Sequence, residues 1–128
     1  MKPRRLFLTG ASGFIGTNFI SALDPSEWEV MNFDPEPPLD EAQQGAWHQG
    51  DIMDRGALFA AVRGFRPHAV IHMAARTDCD EGTVVEPDYR LNTTGTLNVT
   101  DAIRGVDSVD RFVLVSTQYV IGPGMPFT

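Results

Sequence analysis

The sequence predicts a doubly wound α/β domain whose parallel sheet has five strands in the order 3-2-1-4-5. Segments with strand character alternate along the chain with segments that have helical spacing. The strand segments are apolar along their whole length, which is typical of parallel strands buried on both faces. The 128 residues, 42% hydrophobic and 21% charged, contain no internal repeat, so length and composition fit one globular domain.

Apolar runs bounded by turn residues predict the five strands at residues 6–8, 28–33, 47–49, 69–73 and 111–115. Helices are predicted from Phe14 to about Asp24, from Asp54 as N-cap to about residue 63, and over 87–104. The helical spacing in the first is that of Phe14, Ile15, Phe19, Ile20 and Leu23. The last has its predicted inner face at Leu91, Gly95, Val99, Ala102 and Ile103.

A glycine-rich segment, Thr-Gly-Ala-Ser-Gly-Phe-Ile-Gly at residues 9–16, joins the first strand to the first helix. Gly10, Gly13 and Gly16 are evenly spaced, and glycine lets the backbone approach a pyrophosphate closely. The following helix offers unpaired N–H groups and its positive dipole end to phosphates. An ordinary tight turn is the alternative for the glycines alone. The absence of Gly-Lys-Ser/Thr from the motif excludes a P-loop NTPase.

Asp34 ends the second predicted strand, roughly 20 residues beyond Gly16, as a dinucleotide-binding unit requires. A carboxylate at that place accepts hydrogen bonds from both ribose hydroxyls and repels a 2′-phosphate. A turn residue before Pro35 is the alternative interpretation. With the glycine turn, Asp34 predicts a dinucleotide site that prefers NAD to NADP.

Charge and cysteine content exclude several other classes of partner. A net charge of −7 and a pI near 4.7 disfavour nucleic acid and acidic membrane surfaces as partners.

The single cysteine, Cys79, cannot form an internal disulfide and favours a reducing, cytoplasmic location. We recognise no secretory signal and no apolar run long enough for a bilayer. His48, His68 and His72 fit no zinc spacing, so no metal is expected.

The glycine motif resembles that of the extended short-chain dehydrogenases/reductases, the NAD-dependent epimerase/dehydratase family. Further segments resemble the family's motifs in the same order: Asp34, Gly50-Asp51-Ile52, His72-Met73-Ala74-Ala75, the stretch from Asn92 to Val99, and the stretch from Ser116 to Gly122. The resemblance covers nearly the whole chain. It implies a Rossmann fold in which residues 1–128 are an NAD-binding domain, truncated before the substrate domain of a longer enzyme.

The resemblance also implies which residues contact the cofactor. They are Gly10, Ser12, Gly13, Phe14, Ile15, Gly16, Asp34, Asp51, Ile52, Met73, Ala74, Ala75 and Asn92. Asp51 and Ile52 would border the adenine, and residues 73–75 would line the ribose and nicotinamide side. Asn92 would be a polar anchor behind the cofactor. Its alternative is a helix residue satisfied locally.

Thr117 matches the family's catalytic Ser/Thr, whose hydroxyl hydrogen-bonds the reacting sugar oxygen. Gln118-Tyr119 replace the Asp-Glu pair of the dehydratases, so 4,6-dehydratase activity is not expected. The family's Tyr-x-x-x-Lys pair would fall beyond residue 128, and the only lysine is Lys2. We therefore predict the NAD-binding part of a nucleotide-sugar epimerase or dehydrogenase. A non-catalytic NAD-binding module is the alternative, and a homodimer is compatible with both.

Overall fold

The computed structural model describes residues 1–77, 89–117 and 124. Its five strands pair in parallel in the order β3-β2-β1-β4-β5, which confirms the predicted sheet. The strands are β1 Arg4–Thr9, β2 Trp28–Asp34, β3 Trp47–Gln49, β4 Ala69–His72 and β5 Arg111–Leu114. Each lies close to its predicted bounds because each apolar run is closed by residues that favour turns.

Within the described residues, three α-helices connect the strands: α1 Phe14–Ser21, α2 Arg55–Phe65 and α3 Arg90–Ile103. Asp54 caps α2 as predicted, since its Oδ1 accepts from the Ala57 N–H at 3.1 Å. Helix α1 ends at Ser21, before the predicted Asp24, and Asp24 begins a separate turn in which its Oδ1 accepts from the Ser26 N–H. A short 3-10 helix, Glu41–Ala46, was not predicted from the sequence.

Apolar side chains pack on both faces of the sheet, as a doubly wound fold requires. Alternate residues of β1 point to opposite faces, so Leu6 and Leu8 pack on the α1 side and Phe7 on the α2–α3 side. The Phe7 ring stacks on Phe33, with centroids 5.8 Å apart. Truncation of Phe7 to alanine is expected to cost about 3–5 kcal/mol of stability. The centre of the sheet is therefore a rigid base for the loops at its edges.

Apolar residues at two places do not follow the predicted burial. Phe14 and Ile15 share helical spacing with the partly buried Phe19 and Ile20 of α1, yet they are 77% and 68% exposed. They form the first turn of the helix, at the end beside the sheet edge. Burial on both faces is also wrong for β5. Phe112 packs against the α2–α3 side, whereas Val113 and Leu114 are 41% and 52% exposed on the edge strand of the described sheet.

Candidate dinucleotide site

The carboxyl ends of β1, β2 and β4 meet at one edge of the sheet, where the glycine-rich loop leaves β1. In register, Thr9 pairs with Phe33 on one side and with His72 on the other. The loop therefore lies between Asp34 and Met73, the residues that follow these partners. The crevice beyond the carboxyl ends of parallel strands is where open α/β sheets bind ligands.

Two glycines of the motif are required by close packing inside the protein. Gly10 has a φ of +71°, and a Cβ there would lie 2.6 Å from the Cα of Ala74. A Cβ on Gly16 would lie 2.3 Å from the Cα of Ala11. Both distances are far below van der Waals contact, so the loop, β4 and α1 can approach only through glycine.

Gly13 differs from these two, because a Cβ there would meet no atom of the described residues within 4 Å. It is the N-cap of α1 and makes no side-chain cap, and the first turn holds no acidic residue. The first hydrogen bond of the helix runs from the Thr17 N–H to the Gly13 carbonyl at 2.9 Å. The amides of residues 14–16 thus precede the helical ladder, and this arrangement fits a pyrophosphate.

Asp34 lies directly beside this loop and is only 8% exposed. Its Oδ2 accepts from the Ser12 N–H at 3.1 Å, and its Oδ1 accepts from the Glu36 N–H at 2.9 Å. The second bond is the turn interaction of the alternative interpretation, and the first ties the carboxylate to the glycine-rich loop. Each oxygen keeps a further lone pair for a ligand hydroxyl.

Asn32, which was not predicted from the sequence, is 1% exposed and lies on the same face of β2 as Asp34. Its Oδ1 accepts from the Ala11 N–H at 3.0 Å, and its Nδ2 donates to the Ser12 Oγ at 3.0 Å. A buried amide in a strand needs partners of this kind. The available signal was a polar residue two positions before the strand-ending acid.

On the β4 side, the Thr9 hydroxyl holds the segment that follows the strand. Its Oγ1 accepts from the Met73 N–H at 3.1 Å and the Ala74 N–H at 3.2 Å, and it lies 2.6 Å from the His72 Nδ1. Since both lone pairs of the Thr9 Oγ1 accept these N–H groups, the Thr9 hydroxyl donates its own proton to the His72 Nδ1, which acts as the acceptor. Residues 73–75 thereby follow β4 beside the glycine-rich loop, where the sequence predicts cofactor contacts.

His72 extends this network into α3. Its Nε2 lies 2.9 Å from the Thr96 Oγ1 and, in the neutral tautomer implied above, donates to it. The ring is 2% exposed, and this burial lowers the pKa of His72 below its ordinary value of 6.5. His72 therefore joins β1, β4 and α3 as a neutral imidazole.

Asn92 holds the same segment one step further along. Its Oδ1 accepts from the Arg76 N–H at 2.7 Å, and its Nδ2 donates to the Arg76 carbonyl at 3.1 Å. These bonds are made across the fold and not within α3. The amide thus fixes the backbone immediately after the predicted ribose and nicotinamide contacts.

Asp51 and Ile52 occupy different environments at the end of β3. Asp51 is exposed, and its Oδ1 accepts from the Met53 N–H at 2.9 Å. Ile52 is 3% exposed and fills the space beside Gly95, where a Cβ would lie 2.6 Å from the Ile52 Cδ1. Of these two residues, Asp51 is the one with an exposed side chain.

Thr117 is exposed and lies beyond the carboxyl end of β5, at the same edge of the sheet. Gln118, Tyr119 and Cys79 lie outside the described residues. Among the residues that the structure describes, no group of three or more His, Cys, Asp or Glu could hold a metal ion. In the same part of the chain, no helix is both long and apolar enough to cross a membrane.

The fold is similar to solved enzymes that contain NAD. The UDP-glucose 4-epimerase of Brucella ovis in complex with NAD gives a TM-score of 0.79 at 25% identity, over 93% of this chain and 37% of that chain. The UDP-glucose 4-epimerase of Thermus thermophilus in complex with NAD gives 0.74 at 30% identity, over 88% and 37% of the two chains.

Curated relatives match at the level of sequence. The dTDP-L-rhamnose 4-epimerase of Burkholderia thailandensis is 31% identical over 94% of this chain and 36% of the relative. The 3 beta-hydroxysteroid dehydrogenase/Delta 5→4-isomerase of Mycobacterium tuberculosis is 35% identical over 94% and 33%. The chain thus spans about a third of the length of these relatives.

The family comparison agrees with the predicted family and cofactor. The sequence profile of the NAD dependent epimerase/dehydratase family matches residues 6–128, nearly the whole chain. NAD, the cofactor predicted from the glycine turn and Asp34, is the cofactor on which this family depends. The chain belongs to the NAD dependent epimerase/dehydratase family.

Proposed function

We propose that residues 1–128 form the NAD-binding part of an enzyme that transfers hydride between NAD and a nucleotide sugar, as an epimerase or a dehydrogenase. The observation that carries this proposal is the open turn at Gly13 beside the buried carboxylate of Asp34. The similarity to 4-epimerases supports the substrate class. NAD supplies the hydride acceptor when it is bound. The substrate domain implied by the family resemblance lies outside these residues and stays a prediction.

Each part of the site has a role in holding the dinucleotide. The amides at the start of α1, in the turn of Gly13, Phe14, Ile15 and Gly16, would hold the pyrophosphate. Asp34 would accept hydrogen bonds from the ribose hydroxyls and repel a 2′-phosphate. Among the residues that the structure describes, none has an atom within 4 Å of a Cβ placed on Gly13, which leaves room for the pyrophosphate.

The remaining contacts concern the two ends of the cofactor. Asp51, exposed after β3, would accept from the exocyclic amine of adenine, with Ile52 as its buried neighbour. Residues 73–75 would line the ribose and nicotinamide side, because Thr9 and Asn92 fix the backbone on each side of them. Thr117 would donate a hydrogen bond to the reacting oxygen of the substrate.

A hydroxysteroid is the second candidate substrate, because the Mycobacterium tuberculosis steroid dehydrogenase is 35% identical to the chain. Both substrate classes present a secondary alcohol for oxidation.

The experiment is to incubate the full chain and NAD with UDP-glucose, dTDP-L-rhamnose or a 3β-hydroxysteroid. NMR detects the formation of epimers, and absorbance detects the formation of NADH. We expect turnover of a nucleotide sugar, and loss of that turnover in Thr117→Val with NAD affinity retained. Turnover of the steroid alone would select the second candidate, and NAD binding without turnover would select the non-catalytic module.

The lone Cys79 supports a reducing, cytoplasmic compartment for this protein.

A homodimer stays a prediction, which light scattering on the full chain would test. A mass of one chain at all concentrations would contradict it.

A further inference from the structure

Asn32 is a buried polar residue whose hydrogen bonds have no role in the proposed function so far. Its side chain is 1% exposed and makes bonds to two consecutive residues of the glycine-rich loop. The Oδ1 accepts from the Ala11 N–H and the Nδ2 donates to the Ser12 Oγ, both at 3.0 Å. Burying an amide costs free energy unless every such bond is made, so these contacts constrain the loop tightly.

The bonds continue from Asn32 to both oxygens of Asp34. The Ser12 Oγ, which accepts from Asn32, donates to the Glu36 carbonyl at 2.7 Å. The Glu36 N–H donates to the Asp34 Oδ1 at 2.9 Å, and the Ser12 N–H donates to the Oδ2 at 3.1 Å. Because each oxygen is held by one inward bond, the direction of the remaining lone pairs is set by this ring.

Only an amide satisfies both contacts at position 32. A leucine of similar shape would leave the N–H of Ala11 without its partner, and Ala11 is fully buried. An aspartate would lose the donor to the Ser12 Oγ and would add a second buried carboxylate near Asp34. The residue type is therefore dictated by the ring that ends at Asp34.

We propose that Asn32 is a positioning residue that sets the preference for NAD over NADP. By holding Ser12, it fixes the carboxylate of Asp34 where ribose hydroxyls are accepted and a 2′-phosphate is repelled. Loss of this alignment weakens the binding of NAD and reduces the repulsion of the 2′-phosphate of NADP. The inference rests on the proposed function, since it requires a dinucleotide at this edge of the sheet.

The test is calorimetric titration of NAD and NADP into the full chain and its Asn32→Leu variant. We expect NAD affinity to fall roughly tenfold and the NAD-to-NADP affinity ratio to fall by about the same factor. Val62→Ala is the matched control, because Val62 is fully buried in α2 and outside the site. This control should lose stability and keep the ratio, which separates positioning from a general loss of stability.

Ser12→Ala is the second variant and interrupts the same ring while the Ser12 N–H bond to Asp34 is kept. It should lower the ratio by a smaller factor, and it decides the question if Asn32→Leu does not fold. An unchanged ratio in variants that fold and bind NAD, or an equal fall in Val62→Ala, overturns the role of Asn32. A wild-type chain that binds no NAD overturns the proposed function itself, together with this inference.

Discussion

Two hydrogen-bonded networks hold the two sides of the glycine-rich loop, and they differ in whether their central side chain titrates. On the β2 side the central residue is Asn32, an amide whose charge does not change with pH. On the β4 side it is His72, an imidazole that contacts Thr9 and Thr96. The two sides of the loop thus differ at their centres, because one is held by an amide and the other by an imidazole whose protonation removes a hydrogen-bond acceptor.

Protonation of His72 is incompatible with the bonds seen on the β4 side. The Thr9 Oγ1 already accepts from the N–H groups of Met73 and Ala74, so it has no lone pair left for a proton on Nδ1. An imidazolium would therefore break one of these bonds. The segment after β4 would loosen as a result.

The largest expected effect is that of Gly13→Val on the loop between the two networks. The branched side chain would fill the space meant for the pyrophosphate, so NAD affinity should fall roughly a thousandfold or more, about 4 kcal/mol. Stability should change much less, because no atom of the described part of the chain lies within 4 Å of a Cβ at this position. Calorimetric titration measures the affinity. Gly45→Val is the control, since Gly45 is equally open and should keep NAD binding; retained affinity in Gly13→Val would refute the site assignment.

His72→Leu removes the centre of the β4-side network. It leaves the hydroxyls of Thr9 and Thr96 without their imidazole partner, one of them fully buried, and should cost about 3 kcal/mol. Urea unfolding measures this loss. Ser108→Ala, which removes a part-buried bond to the Pro67 carbonyl, should cost only about 1 kcal/mol. Equal costs in the two variants would show that the His72 network contributes no more stability than one part-buried hydrogen bond.

Asp34→Asn tests the end point of the β2-side network. The amide removes the charge that repels a 2′-phosphate and cannot accept at both oxygen positions. NAD should bind about tenfold more weakly, near 1.4 kcal/mol, and the NAD-to-NADP ratio should fall. Competitive titration of both cofactors provides the measurement. An unaltered ratio would restrict Asp34 to its turn with Glu36.

The smallest effect is the pH dependence of stability from His72. Burial lowers its pKa in the folded chain, so the unfolded chain binds the proton at higher pH. This contribution to the free energy of unfolding is complete above pH 6.5 and is lost as pH falls toward the folded-state pKa, by at most about 1.4 kcal/mol per pH unit. Urea unfolding against pH should show the loss in wild type and Asn32→Leu, and less of it in His72→Leu. Identical profiles in all three would remove His72 as the source.

The sequence predicted the parts of this site that depend on backbone geometry. Gly10 and Gly16 were recognisable by their spacing between a strand and a helix, and the structure shows that they permit close packing against Ala74 and Ala11. Asp34 was recognisable because it ends an apolar run at a fixed place in the unit. The strand order followed from the alternation of elements.

The hydrogen-bond partners of buried polar residues could not be predicted in the same way. Asn32 on β2 bonds to Ala11 and Ser12 in the loop that follows β1. His72 on β4 bonds to Thr96 on α3. Such pairs depend on the register of the strands and the rotation of the helices, which periodicity does not determine. The exposure of Phe14 was not predicted for a related reason. Helical spacing identifies the apolar face of a helix but does not show which of its turns extend beyond the sheet.

The most direct test of the central claim is a calorimetric titration of the wild-type full chain with NAD and then with NADP at neutral pH. The open turn at Gly13 and the carboxylate of Asp34 predict one NAD bound per chain and NADP bound at least about tenfold more weakly. No binding of NAD, or binding of NADP with equal or higher affinity, would contradict the account.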